Sequence, residues 1–190
     1  MFFAMTNVMT SALPLATGTW SADPSHTTIG FVVRHLGLSK VRGRFDGVSA
    51  QLVVGDDLAT SSVSAEVEMG TVTTGNSDRD AHLTSSDFFN AETNPKMTFQ
   101  STAIAGDGDE YTLVGDLTIN GITRPVELDV EFFGTSVFPM DQSTRAGFAA
   151  TGSISRKDFG IEWNVPLGGD KVMISDKVAL ELDVQLVAPA

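Results

Sequence analysis

Apolar residues fall at every second position along most of the chain, which is the period of a strand with one buried face. Ile29, Phe31, Val33 and His35 share a face, and Val63, Ala65, Val67 and Met69 alternate with Ser64, Glu66 and Glu68. Met97, Phe99, Ser101 and Ala103 form the next face, followed by Tyr111, Leu113, Gly115, Leu117 and Ile119. Asn120-Gly121 is a type I′ hairpin signal, and Val126, Leu128, Val130 and Phe132 return beyond it against Glu127, Asp129 and Glu131. Phe148, Ala150, Gly152 and Ile154 give another run, and Val178, Leu180, Leu182, Val184 and Leu186 the last. One strand changes phase: Val41, Gly43 and Phe45 share a face, but Val48, Ala50, Leu52 and Val54 carry the apolar positions past Gly47. A β-bulge at the glycine would flip the alternation in this way.

One stretch reads as helical. Asn76 or Ser77 caps Asp78–Leu83, placing Asp78 and Asp80 where the helix dipole favours carboxylates, and Ser85-Ser86-Asp87 starts a further turn through Phe88 and Phe89. Gly106-Asp107-Gly108-Asp109 is a turn without the further ligands of a calcium loop. Eight antiparallel strands with short connections predict an all-β domain whose sheet closes on itself. At that strand number the interior holds either side chains alone or one small ligand. The inward set mixes Phe with Gly115, Gly152, Ala103, Ala150 and Ser101, which fits two readings: small residues packing a taper, or small residues leaving an apolar lumen.

The length of 190 residues suits one domain. With 12 Lys and Arg against 24 Asp and Glu the net charge is −12, so the far field repels nucleic acid and an anionic bilayer surface. No cysteine is present, which removes disulfides, thiolate metal sites and cysteine nucleophiles. No apolar run reaches the roughly 18–20 residues of a membrane-spanning helix. Residues 1–18 are expected to form a flexible extension ahead of a domain over 19–188. The first basic residue is Arg34, so the amino-terminal segment lacks the basic start of a secretory signal. The expected location is therefore the cytoplasm, with export to the periplasm or beyond as the alternative.

The residues capable of chemistry do not assemble into a reactive pattern. His26 and His35 are nine residues apart, so on a straight strand they face opposite ways and lie roughly 30 Å apart. His82, on the helical stretch, can approach only one of them, and a metal site is not expected. Asp23, Ser25 and His26 have the residue types of a hydrolase triad without its geometry, and Asp23, Ser25 and Thr27 read better as a turn entering the first long strand. Arg79 with Asp80, and Arg156 with Asp158, read as surface or turn pairs, or as groups that meet a ligand's anionic head.

The order of motifs resembles the YceI-like family. Trp20, Asp23, Ser25-His26-Thr27, Ile29-Gly30-Phe31, His35 and Gly43-Arg44-Phe45 are similar to its opening; Arg79-Asp80, His82-Leu83, Asp87-Phe88-Phe89, Pro95 and Phe99 to its centre. Gly115-Asp116-Leu117-Thr118-Ile119-Asn120-Gly121 through Val126 is the most specific block, and Arg156-Lys157-Asp158-Phe159-Gly160-Ile161 with Gly169-Asp170-Lys171-Val172 resembles the close. Asn90 stands where the family often has Asp. The resemblance implies an extended, lipocalin-like eight-stranded barrel that carries, stores or sequesters a polyisoprenoid lipid such as a prenyl quinone or prenyl phosphate. It implies no enzymatic reaction, the alternative being an enzyme acting on such a lipid or a small ester through His and Asp residues. With the alternation, it places Ile29, Phe31, Val33, His35, Phe45, Met69, Phe89, Phe99, Leu117, Ile119, Phe148, Ala150 and Leu182 on the lumen wall. No cofactor besides the bound lipid, no nucleic acid and no stable membrane insertion are expected, and the protein is expected to be a monomer or homodimer.

Overall fold

The computed structural model describes residues 11–190. Its strands are β1 (Gly18–Ala22), β2 (Thr28–His35), β3 (Ser39–Phe45), β4 (Val48–Val54), β5 (Ser62–Glu68), β6 (Val72–Thr73), β7 (Lys96–Asp107), β8 (Glu110–Ile119), β9 (Ile122–Val137), β10 (Thr144–Ser155), β11 (Pro166–Gly168), β12 (Lys171–Val172) and β13 (Lys177–Val187), with one helix, α1 (Ser77–Thr84). The antiparallel ring runs β1-β4-β5-β7-β8-β9-β10-β13 and returns to β1, closing an eight-stranded barrel. Beyond β13 the sheet continues as β2-β3-β6.

Three barrel positions are each built from two strands in series. β1 and β2 are separated by a 3-10 turn at Pro24–His26, and together they line one edge of β13: β1 pairs at Leu186 and Val187, β2 at Ala179–Asp183. β3 and β4 part at Asp46-Gly47, where the apolar phase changes. Gly47 is required there because an added Cβ would lie 2.9 Å from Glu68 and Thr71 side-chain atoms. β5 and β6 part at the 3-10 turn Met69–Thr71. β6 pairs with β3 but not with β7, so at this end the wall opens between Thr73 and Lys96. Residues 74–95, including α1, occupy the opening.

The Asn120-Gly121 hairpin forms with both residues in the left-handed region, φ 54° and 72°. Two further register shifts were not legible in the alternation. On β7 the pairing slips between Ser101 and Ala103, so Ala103 turns to solvent and Ile104 inward. The expected inward position of Ala103 is corrected by this bulge, since one extra residue inverts every face beyond it. On β9 the pairing with β10 shifts around Phe133, leaving that ring 64% exposed.

Of the extension expected over residues 1–18, the part from residue 11 lies against the barrel: Leu13 is buried with Trp20, Leu52, Val54, Tyr111, Ala146 and Leu186, and the Ser11 carbonyl accepts from the Leu58 N–H. An apolar side chain removed from water in this way ties the segment down. Residues 1–10 lie outside the described residues. The second and larger core cluster, around Phe45, Met69, Leu117, Val126 and Phe159, fills the wall on the side of α1.

Candidate functional site

The barrel encloses an apolar cavity of about 800 Å³, toward the upper end of the range for small-molecule sites. Its lining follows from the strand period, because each strand sends alternate side chains inward. All thirteen residues read from the sequence as lumen wall border it. Ile29, Phe31, Val33 and His35 come from β2, Phe45 from β3, Phe99 from β7, Leu117 and Ile119 from β8, Phe148 and Ala150 from β10, and Leu182 from β13; Met69 and Phe89 come from the segments after β5 and α1.

Small residues shape this space unequally. Ala150 borders the cavity between Leu182 and Val130, its neighbours on the flanking strands. Gly115 does not, because the Phe99 ring already lies over it: a Cβ there would be 2.3 Å from the ring. Gly43 is covered in the same way by Phe31. A large side chain at Gly115 would therefore first displace Phe99.

One end of the cavity is floored by Leu13, Leu186 and Tyr111, whose hydroxyl donates to the Gly108 carbonyl at 3.0 Å. Burial pushes the Tyr111 phenol up from its ordinary value, with Asp107 and Asp109 adding to the shift. The other end is bordered by exposed polar residues, Arg34, Ser39, Asp78 and Arg79. α1 covers this end, and the Asn76 side chain caps it by accepting from the Arg79 N–H. The Asp80 carboxylate accepts from the Thr74 N–H and hydroxyl at 2.8 and 2.6 Å, and Arg79 donates to the Thr74 hydroxyl and carbonyl at 2.7 and 3.1 Å. His82 packs edge-on to Phe88 and Trp163, with ring centroids at 5.0 and 4.7 Å, while its Nε2 meets Asp87 at 2.8 Å. Phe31, Phe45 and Phe89 continue the aromatic lining, with successive centroids 5.7 and 5.8 Å apart.

The remaining polar candidates have structural partners. His26 and Asp23 pair on the 3-10 turn, with Arg145 also on Asp23, away from the cavity. Asp23 accepts from the Ser25 N–H, and Thr27 bonds the Gln185 carbonyl, as expected of a turn entering β2. Arg156 is buried and donates to the carbonyls of Ser175, Ile161, Trp163 and Ile174, binding the 156–165 segment to the entry of β13; burial lowers its pKa. Among the described residues no three His, Asp or Glu side chains converge as metal ligands.

Trp163, Met173 and Ile174 line the mouth but escaped the sequence reading, because they lie outside the long strands and have no alternating neighbours. A tryptophan in a short segment between Gly160 and Pro166 was the available signal. Ile104 was missed through the Ser101–Ala103 bulge.

The YceI-like domain family matches residues 20–186. A UPF0312 protein of Staphylococcus aureus (strain N315) is 38% identical over 165 residues, covering 86% of this chain and 94% of that one. Burkholderia cenocepacia BcnA superposes with a TM-score of 0.74 at 24% identity, over 88% of this chain and 99% of its own. A polyisoprenoid binding domain from Saccharophagus degradans, implicated in plant cell wall breakdown, superposes with a TM-score of 0.62 at 15% identity, over 92% and 100%. These two structural likenesses are likenesses of fold.

Proposed function

The chain belongs to the YceI-like family, and from that premise we propose that its barrel binds a long polyisoprenoid lipid, a prenyl quinone or prenyl phosphate, for carriage, storage or sequestration. The observation that carries the reading is the lumen: about 800 Å³, apolar along its length, floored at one end and bordered by polar groups at the other. That shape fits an amphiphile with one long apolar tail and one polar end. An isoprene unit of about five carbons gains roughly 4 kcal/mol of gross transfer free energy on leaving water. Several units in a preformed lumen exceed the ordering costs of binding. The polyisoprenoid binding domain with the same fold supports the ligand class.

The role is binding rather than bond chemistry. Asp23 and His26 are engaged in a turn, Asp80 in bonds to Thr74 and His82 in an edge-on aromatic stack, and among the described residues no Ser or Thr hydroxyl is hydrogen-bonded to a histidine ring, that of His35 on the lumen wall included. The protein works without a cofactor, as a monomer or homodimer, in the cytoplasm or, if exported, in the periplasm. Organic extraction of the purified full chain followed by mass spectrometry is the direct test. A near-stoichiometric, unmodified prenyl lipid is the expected result. An empty barrel that turns over a lipid or ester substrate would replace the reading with an enzymatic one.

A further inference from the structure

We propose that the hairpin tips beside the cavity mouth dock on an anionic lipid bilayer, so that the mouth opens onto the membrane surface. The β2–β3 turn carries Leu36-Gly37-Leu38, and Leu36 and Leu38 are 41% and 80% exposed. Next to it stands the β11–β12 hairpin, with exposed Val165, Leu167 and Val172. The two tips are bound side by side: the Leu36 N–H donates to the Met173 carbonyl at 2.8 Å, and His35 bridges to Ile174. His35, Ser39, Met173 and Ile174 border the cavity, so the tips and the mouth are one surface.

The β2–β3 tip is built against the preferences of its own fold. Leu36 and Gly37 hold φ 55° and 71°, almost the angles of Asn120 and Gly121 in the β8–β9 hairpin. The second hairpin has the Asn-Gly pair this turn favours, whereas the first puts a solvent-exposed leucine in the left-handed conformation. Below the turn, Arg34 and Lys40 are direct cross-strand partners, an arrangement of like charges that weakens a sheet. Neither forms an ion pair among the described residues, and nor does Lys171 on the neighbouring tip. Residues 34–40 and 164–174 together hold these three cations and one carboxylate, Asp170.

Exposed leucines ringed by cations match a bilayer in which apolar side chains enter beneath anionic head groups. The net charge of −12 sets the far field, while the tips present the opposite sign at contact. A second copy is the poorer occupant, since a twofold contact would set the same cations against themselves. The inference deepens the isoprenoid reading by naming where such a lipid would be exchanged. Vesicle binding is measured apart from lipid content, so either can fail alone.

The test is flotation of the full chain with phosphatidylcholine vesicles, with and without about one-third phosphatidylglycerol, alongside sedimentation equilibrium of the free protein. Binding is expected on the anionic vesicles, weaker at high salt, and reduced about tenfold or more by Leu38→Ser and by Lys40→Glu. Leu36→Asn separates docking from folding: it should raise the melting temperature by relaxing the turn, yet weaken flotation. Equal flotation of all variants, no preference for anionic vesicles, or a dimer dissolved by Leu38→Ser without vesicle binding would each overturn the proposal.

Discussion

Asp23 accepts from the Ser25 N–H and lies 2.7 Å from His26 Nδ1 and 2.6 Å from Arg145 Nη1. Its pKa is lowered from 3.8 to about 2, chiefly by the His26 hydrogen bond, with the Ser25 N–H and Arg145 assisting against the cost of burial. A carboxylate that is more acidic folded than unfolded stabilises fully above its unfolded pKa, and that contribution disappears as pH falls through the folded value. Asp23→Asn should therefore lower stability by about 1–2 kcal/mol at neutral pH, with the exposure of His26 limiting the effect. The gap to the wild type should close between about pH 4 and 2. Urea denaturation at both ends of that range checks it, and a constant gap would show that Asp23 acts by packing alone. The turn role of Asp23 was legible from its neighbours Ser25 and Thr27. Its arginine was not, because Arg145 comes from β10 and meets Asp23 only when the barrel closes.

Residues 74–95 occupy the part of the wall where β6 and β7 do not pair, so this element is both cover and wall. The cover is held together internally by the Asn76 cap, the Asp80–Thr74 bonds and the Phe89 N–H on the Leu83 carbonyl, and is fixed to the barrel by buried Phe88 and by the Asn120 side chain, which donates to the Phe88 carbonyl at 2.9 Å. Such an element opens more easily than a strand bonded on both edges. Hydrogen exchange across residues 71–95 should slow when lipid fills the lumen and should quicken in Asn76→Ala, whose lost cap is worth about 1 kcal/mol. Equal exchange with and without lipid would make this element a fixed plug. Asn76 and the two acidic residues of the first turn made α1 readable in advance. The split that houses it was not readable, since Met69–Thr71 ends a strand without any charge or proline to announce the break.

Across the whole molecule, period-2 alternation specified an eight-stranded barrel and most of its inward faces. It failed where a single extra residue shifted the register, as beyond Ser101, and in the 160–176 region, whose side chains reach the mouth from irregular backbone. The inward small residues left both lumen and solid core open, because whether a small residue borders space depends on a neighbouring strand: Phe99 covers Gly115, whereas Ala150 borders the cavity. Ala150→Phe should consequently reduce extracted lipid severalfold while the barrel still folds. Mass spectrometry paired with circular dichroism reads both quantities, and undiminished lipid in a folded variant would place the ligand elsewhere. Unfolding of the variant is read separately, overpacking costing about 1–3 kcal/mol.

β13 is the last barrel strand in chain order, yet its two edges hold β10 on one side and both β1 and β2 on the other. The first strands of the barrel therefore wait for β13, and no seam can form before that strand is available. The seam to β1 is two residue pairs long, Ser21 with Val187 and Ala22 with Leu186, so loss of the chain from Leu186 onward removes it altogether. Closing a loop that spans nearly the whole chain gives a high contact order, which makes slow folding the intrinsic tempo of this topology. Until β13 docks, the unpaired edges of β1 and β2 are the surfaces most open to wrong partners.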